Sequence, residues 1–133
     1  MEALEAGPTL LIVDDEPDVR QLVRDVAEPM GWTVTEASSG RELMDRYTAV
    51  VPDAILLDII MPDMDGIEVL NWLAEQRTSA RIAVMTGYSA TYTEVASALG
   101  TSQGLNIAHN LHKPFSIADL RHALAIVGKQ PHR

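Results

Sequence analysis

Short apolar runs and helical spacings alternate along the chain from about Thr9 to Val127. Leu10-Leu-Ile-Val13, Ala54-Ile-Leu-Leu57 and Ile82-Ala-Val-Met85 are apolar at every position, the pattern of parallel strands covered on both faces. Thr33-Val-Thr-Glu36 and the stretch from Ile107 to His112 read as two further strands. Between the first two strands, Val19, Leu22, Val23 and Val26 recur at i, i+3, i+4 and i+7. Pro17 suits the first turn of that helix, and Pro29-Met-Gly31 ends it. Ser39-Gly-Arg-Glu42 matches a capping box opening a second helix to about Tyr47. A third helix follows Asp65-Gly66 and directs Ile67, Leu70, Leu73 and Ala74 inward. A fourth carries Tyr92, Val95, Ala96 and Leu99 at the same spacing, and a fifth carries Leu120, Ala123, Leu124 and Val127 behind a cap at Ser116. Five strands alternating with five helices predict an α/β fold, a doubly wound five-stranded parallel sheet with helices on both faces.

Four of these strands run into chemically distinct groups: Val13 into Asp14-Asp15, Leu57 into Asp58, Met85 into Thr86 and His112 into Lys113-Pro114. The gaps from Asp15 to Asp58, to Thr86 and to Lys113 are successively 43, 28 and 27 residues, each long enough for a helical crossover between parallel strands. Three carboxylates, a hydroxyl and an ammonium then meet at one edge of the sheet.

Composition narrows the field. A chain of 133 residues forms one domain, placed at 9–127 between flexible termini at 1–8 and 128–133, with no room for an attached output domain. Nineteen acidic against ten basic residues give a net charge of −9, which disfavours direct binding to nucleic acid or anionic lipid. Without cysteine there is no disulfide or thiolate chemistry. The acidic start Met1-Glu-Ala-Leu-Glu lacks a signal peptide's basic and apolar regions, and no apolar stretch is long enough for a bilayer. A cytoplasmic protein without membrane contact is expected.

The constellation of Asp14, Asp15, Asp58, Thr86 and Lys113-Pro114-Phe115, with Met61-Pro62-Asp63-Met64-Asp65-Gly66 downstream of Asp58, resembles the receiver domain of two-component response regulators. The resemblance covers nearly the whole chain and implies a single-domain receiver with the flavodoxin-like strand order 2-1-3-4-5. In such sheets ligands bind where the order reverses, between strands one and three. It further implies that Asp58 accepts a phosphoryl group from a histidine kinase or phosphotransfer protein, with Thr86 and Lys113 contacting phosphate oxygens. The protein would then be no enzyme beyond its own phosphorylation and dephosphorylation. An aspartate attacking phosphorus must first have its charge neutralised, and Mg²⁺, which takes carboxylates, waters and phosphate oxygens octahedrally, suits that need. Asp15 and Asp58 are its implied direct ligands, Asp14 a ligand through water, and the family pattern adds the Ile60 carbonyl. A cis peptide is implied at Lys113-Pro114. The downstream protein target is not implied by any residue, and a homodimer is compatible with the reading.

Other motifs fail on placement. Aligning Gly66 with the glycine of a calcium loop puts Met61 at the first ligand and Trp72 where a bidentate Glu belongs. Asp63-Met-Asp65-Gly66 resembles a phosphatase motif, yet its strand has already ended at Asp58. His109 and His112 alternate onto opposite faces of a strand, so they read as solvated or packed side chains rather than metal ligands. Asp63 and Asp65 read as turn and cap residues.

The chain departs from the common receiver pattern in three respects. Asn110 stands where an aromatic residue usually swings inward, so the resemblance does not carry that switch over. The spacing from Thr86 to Lys113 is about five residues longer than in compact receivers, which predicts an extended fourth helix or Thr101-Gly104 loop. Ile60 and Tyr88 are bulky where fast-cycling receivers carry polar groups, which predicts slow hydrolysis. Asn110 also leaves an alternative: a pseudo-receiver, acting as a constitutive interaction module without a phosphorylation cycle.

Overall fold

The computed structural model describes residues 7–63, 65–87 and 90–128, with backbone alone at 90–92. The expected flexibility of the two termini therefore falls mostly outside the described residues, as does the expectation for Tyr88. Five strands run in the order expected: β1 (Thr9–Val13), β2 (Thr33–Ala37), β3 (Ala54–Asp58), β4 (Arg81–Thr86) and β5 (Asn106–His112). They form one parallel sheet ordered β2-β1-β3-β4-β5. The helices are α1 (Pro17–Ala27), α2 (Gly40–Ala49), α3 (Gly66–Glu75), α4 (Ala90–Ser102) and α5 (Ile117–Gly128), with a short 3-10 turn at Glu28–Met30 after α1.

The period of two along each strand divides the core into two layers. Leu10, Ile12, Leu56, Ala83 and Met85 face α1 and α5, where they meet Val23, Val26, Leu120 and Leu124. Leu11, Val13, Ile55, Leu57, Ile82 and Val84 face α2, α3 and α4, where they meet Leu43, Val69, Leu70, Leu73 and Ala96. Every residue of β3 and β4 is buried, as strands covered on both faces require.

Local capping follows the sequence with small revisions. Asp65 caps α3, accepting from the Ile67 N–H at 2.8 Å, while Glu68 accepts from the Asp65 N–H at 3.1 Å. Ser39 caps α2 through the Glu42 N–H at 3.1 Å, but Glu42 reaches back to the N–H of Ser38 rather than that of Ser39. Asp63 lies in the bend after β3, as expected, and from there also accepts from the Gly40 N–H at 3.3 Å at the start of α2. Gly66 is required by close approach: an added Cβ would lie 2.4 Å from the Ile59 carbonyl oxygen. Backbone cannot give way cheaply there, so Gly66→Ala is expected to cost about 1–3 kcal/mol in a urea unfolding series. An unchanged midpoint would show that the loop has room.

The inward face of α4 differs from expectation. Val95 and Leu99 are 48% and 42% exposed, whereas Thr93, Ala96 and Gly100 are buried. The reason is closeness of approach, since a Cβ on Gly100 would stand 3.2 Å from the Ile107 side chain and 3.4 Å from that of Leu105. Small residues face the sheet and the larger ones are turned aside. Val69 of α3 is likewise buried although the spacing argument passed it over, while Ile67 and Ala74 are only partly covered. The long Thr86–Lys113 segment is taken up by α4, which runs through Ser102, and by a turn at Gly104 with φ +94°. A bulge between Ile82 and Ala83 in the β4–β5 register passes over Ala108, so Ala108 and His109 occupy adjacent positions on the α5 side.

Candidate functional site

The ends of β1, β3, β4 and β5 converge where the strand order reverses. Asp14 and Asp15 follow β1, Asp58 ends β3, Thr86 ends β4 and Lys113 follows β5. A carboxylate oxygen from each of Asp14, Asp15 and Asp58 lies within 4.8 Å of the others. Asp15, Asp58, Ile60, Thr86, Gly87 and Lys113 line an open cavity of about 300 Å³ together with Glu16. Asp14 is wholly buried and lies behind this cavity, while Asp15 is exposed to it. Thr86 is buried as well, and the Lys113-Pro114 peptide is cis.

One ammonium spans the acidic cluster. Lys113 Nζ donates to Asp14 Oδ2 at 2.6 Å and to Asp58 Oδ2 at 3.2 Å, with Glu16 Oε1 4.0 Å away. Burial pulls the lysine down, but its hydrogen bond to Asp14 and the charges of Asp58 and Asp14 outweigh it and hold the ammonium above its ordinary value. Asp58 moves the opposite way for a carboxylate. Burial pushes it up to about 6, the neighbouring Asp14 charge adds to this, and the Ile60 N–H at 2.9 Å and Lys113 oppose it. A carboxylate so poorly solvated is costly to leave unpaired and ready to gain a cationic or covalent partner.

Behind the cluster lie residues that the sequence argument missed. Arg20 donates from Nη1 to the Asp14 carbonyl at 2.8 Å and from Nε to Glu36 at 3.0 Å. Glu36 also accepts from Arg24 at 2.8 Å, so a carboxylate on β2 holds the guanidinium that holds the acidic turn. The Glu16 N–H closes the turn onto Asp14 Oδ1 at 2.8 Å. Helical phase could have found Arg20, which lies on α1 beside the apolar positions Val19 and Val23. Nothing local pointed to Glu36.

The response regulator receiver domain model matches residues 10–125. The chain belongs to this family. As a whole-chain likeness, this receiver is 32% identical to sporulation initiation phosphotransferase F of Bacillus subtilis over 115 residues, 86% of this chain and 89% of that one. It spans much less of some longer relatives: transcriptional regulatory protein TrcR of Mycobacterium tuberculosis is 32% identical over 84% of this chain but only 41% of its own length. Among solved structures, the chemotaxis protein CheY4 of Vibrio cholerae superposes with a TM-score of 0.79 at 27% identity, covering 92% of this receiver and 99% of that chain. The response regulator TrrA of Thermotoga maritima, solved in complex with Mg(2+)-BeF, gives 0.74 at 25% identity over 89% and 96% of the two chains.

The receiver's Asn110 is partly buried and has a side-chain partner. Its Oδ1 accepts from Ser97 Oγ at 2.9 Å, tying β5 to α4. The sequence reading gave this amide no partner, because Ser97 lies on a helix whose phase only packing decides. No helix among the described residues is long and apolar enough to cross a membrane.

Proposed function

We propose that this receiver accepts a phosphoryl group on Asp58 and signals by a conformational change read at its surface. The observation that carries the reading is the Lys113 ammonium set between Asp14 and Asp58, over a cavity lined by Asp15 and Thr86. The carboxylate triad fits a hard divalent cation, having three clustered oxygen donors and one ammonium to offset them. Asp15 and Asp58 would hold Mg²⁺ directly and Asp14 through water, with the Ile60 carbonyl as a further ligand. When bound, it supplies charge neutralisation between carboxylate and phosphate.

The chain's own groups do the rest. An Asp58 carboxylate oxygen forms the bond to phosphorus as the bond from phosphorus to the donor's imidazole nitrogen breaks, and the imidazole leaves with its electron pair. Lys113 is placed to trade its contact with Asp58 for one with a phosphate oxygen, and Thr86 Oγ1 to donate to another. The donor is a histidine kinase or phosphotransfer protein, and the product passes the signal to a downstream protein. Nothing in the site favours the pseudo-receiver alternative, since every group the chemistry needs is at hand and Asn110 is bonded locally.

Ile60 is 41% exposed at the cavity and offers no side-chain group to align water. The acyl phosphate is therefore expected to be long-lived, and Ile60→Asn should shorten its lifetime in a chase by intact mass. An equal or longer lifetime would remove Ile60 from the argument.

The deciding experiment is titration with beryllofluoride and Mg²⁺, followed by amide chemical shifts. Changes at Asp58, Thr86 and Lys113 that spread to the region from Gly87 to Thr101 are expected. Thr86→Ala should suppress the spread while Asp58 is still modified. Asn110→Ala should keep it and cost only about 1 kcal/mol for the lost Ser97 bond. Loss of the response in Asn110→Ala with retention in Thr86→Ala would overturn this account of the switch, and no response in the wild type would overturn the function.

A further inference from the structure

The side chain of Arg20 joins three parts of the fold at the acidic turn. It leaves the first turn of α1, donates from Nη1 to the Asp14 carbonyl at 2.8 Å and from Nε to Glu36 Oε1 on β2 at 3.0 Å. Glu36 also accepts from Arg24 Nε at 2.8 Å. Burial pushes Glu36 up, but its hydrogen bonds to Arg24 and Arg20 outweigh this and hold it below the ordinary carboxylate range. It is therefore ionised at neutral pH and anchors a guanidinium that is only 17% exposed.

The Asp14 carbonyl belongs to the rigid peptide plane that carries the Asp15 N–H, so fixing its oxygen fixes the backbone between the two acidic side chains. Asp14 has other restraints. Its N–H donates to the Ala37 carbonyl at 3.1 Å, its Oδ1 accepts from the Glu16 N–H and its Oδ2 from Lys113 Nζ. Asp15 is different: its side chain is exposed at the cavity, and no group among the described residues is bonded to its carboxylate. The direction of that carboxylate depends on the peptide that Arg20 holds.

We propose that Arg20 is a positioning residue for the acidic cluster: its planar fork, anchored by Glu36, holds the peptide between Asp14 and Asp15 so that the carboxylates meet the strict geometry of Mg²⁺. The inference rests on the reading of Asp14, Asp15 and Asp58 as a cation site. Mg²⁺ demands near-ideal octahedral geometry, whereas Ca²⁺ accepts a flexible set of oxygens, so loosening the backbone of one ligand costs Mg²⁺ more than Ca²⁺. Charge alone predicts the opposite sign. A guanidinium near a cation site repels the ion, so removing only its charge would tighten the binding of both ions. Lysine in its place keeps the charge and loses the fork.

The test is titration of the full chain with Mg²⁺ and, separately, with Ca²⁺, followed by amide chemical shifts. Arg20→Ala puts the best helix former on α1 and leaves Glu36 its bond with Arg24, so the variant should fold. It should lose Mg²⁺ affinity roughly tenfold and Ca²⁺ affinity less than about threefold. Arg20→Lys should lower the ratio of Mg²⁺ to Ca²⁺ affinity in the same direction. Arg46→Ala removes the same charge from a side chain that bonds to the Glu36 carbonyl and to no residue of the turn, and it should change neither affinity. In the metal-free protein the Asp15 amide ¹⁵N should move in both Arg20 variants and stay in place in Arg46→Ala. Tighter binding of both ions by Arg20→Ala, equal losses for the two ions, a wild-type ratio in Arg20→Lys, or an unmoved Asp15 amide would each overturn the proposal and leave the Mg²⁺ site standing. Wild-type protein that binds no Mg²⁺ would overturn the site, and this role of Arg20 with it.

Discussion

Asp58→Asn is expected to abolish phosphoryl uptake from acetyl phosphate and, at the same time, to stabilise the metal-free protein at neutral pH. Intact mass should show one added phosphoryl group on the wild type and none on the variant. Modification of Asp14, Asp63 or Asp65 in the wild type would refute the assignment. The stability effect follows from the carboxyl being pushed up to about 6 by burial, with the Asp14 charge adding to it. Between about pH 4 and 6 the folded chain keeps a proton that the unfolded chain has released, so wild-type stability falls as pH rises through that window. Above it the full penalty remains. The shift corresponds to at most roughly 3 kcal/mol, and screening at the open mouth of the cavity reduces this to about 1–2 kcal/mol. Asparagine carries no charge to desolvate, and Lys113 keeps its 2.6 Å contact with Asp14. Thermal melts from pH 4 to 8 should therefore converge at acid pH and separate above pH 6, with the variant melting higher. Parallel curves would show that Asp58 bears no such strain.

Mg²⁺ is expected to raise the melting temperature, and Asp15→Ala should weaken its binding about tenfold or more, because one of three charged oxygen donors is lost. Asp63→Ala should leave Mg²⁺ affinity nearly unchanged. Its carboxylate is committed to the Gly40 N–H at 3.3 Å, so its removal acts on the start of α2 and costs stability instead. Without metal, Asp15→Ala should be neutral or slightly stabilising, since one repelling charge has gone from a group whose oxygens lie within 4.8 Å of one another. Titrations monitored by melting temperature separate the two variants. Equal losses of affinity would move the cation away from the Asp14, Asp15 and Asp58 cluster.

The acidic cluster was legible before any coordinates because Asp14-Asp15, Asp58 and Thr86 each follow an apolar run, and Lys113 follows the mixed strand from Ile107 to His112. A strand apolar at every position has to be central and parallel, and parallel strands deliver their C-terminal ends to one side. Asp14, Asp15, Asp58, Thr86 and Lys113 therefore had to gather at one edge. Arg20, by contrast, matters through the Asp14 carbonyl and Glu36, two contacts made across elements. Helical phase places it beside the apolar positions of α1, but nothing along the chain names those two partners.

What the sequence by itself determined was the alternation of five strands and five helices, the capping of α3 by Asp65, and the placement of the reactive groups at strand ends. These depend on period, chain length and local hydrogen bonding, all of which are carried by neighbours along the chain. Tertiary structure alone decided which face of α4 turns inward, because Ala96 and Gly100 allow close approach to Ile107 whereas Val95 and Leu99 do not. It decided that Asn110 finds Ser97 and that a bulge brings His109 onto His122. Periodicity fixes the direction of a side chain relative to its own element, but the phase between two packed elements is set by the volumes that meet at their contact, and no single segment contains both.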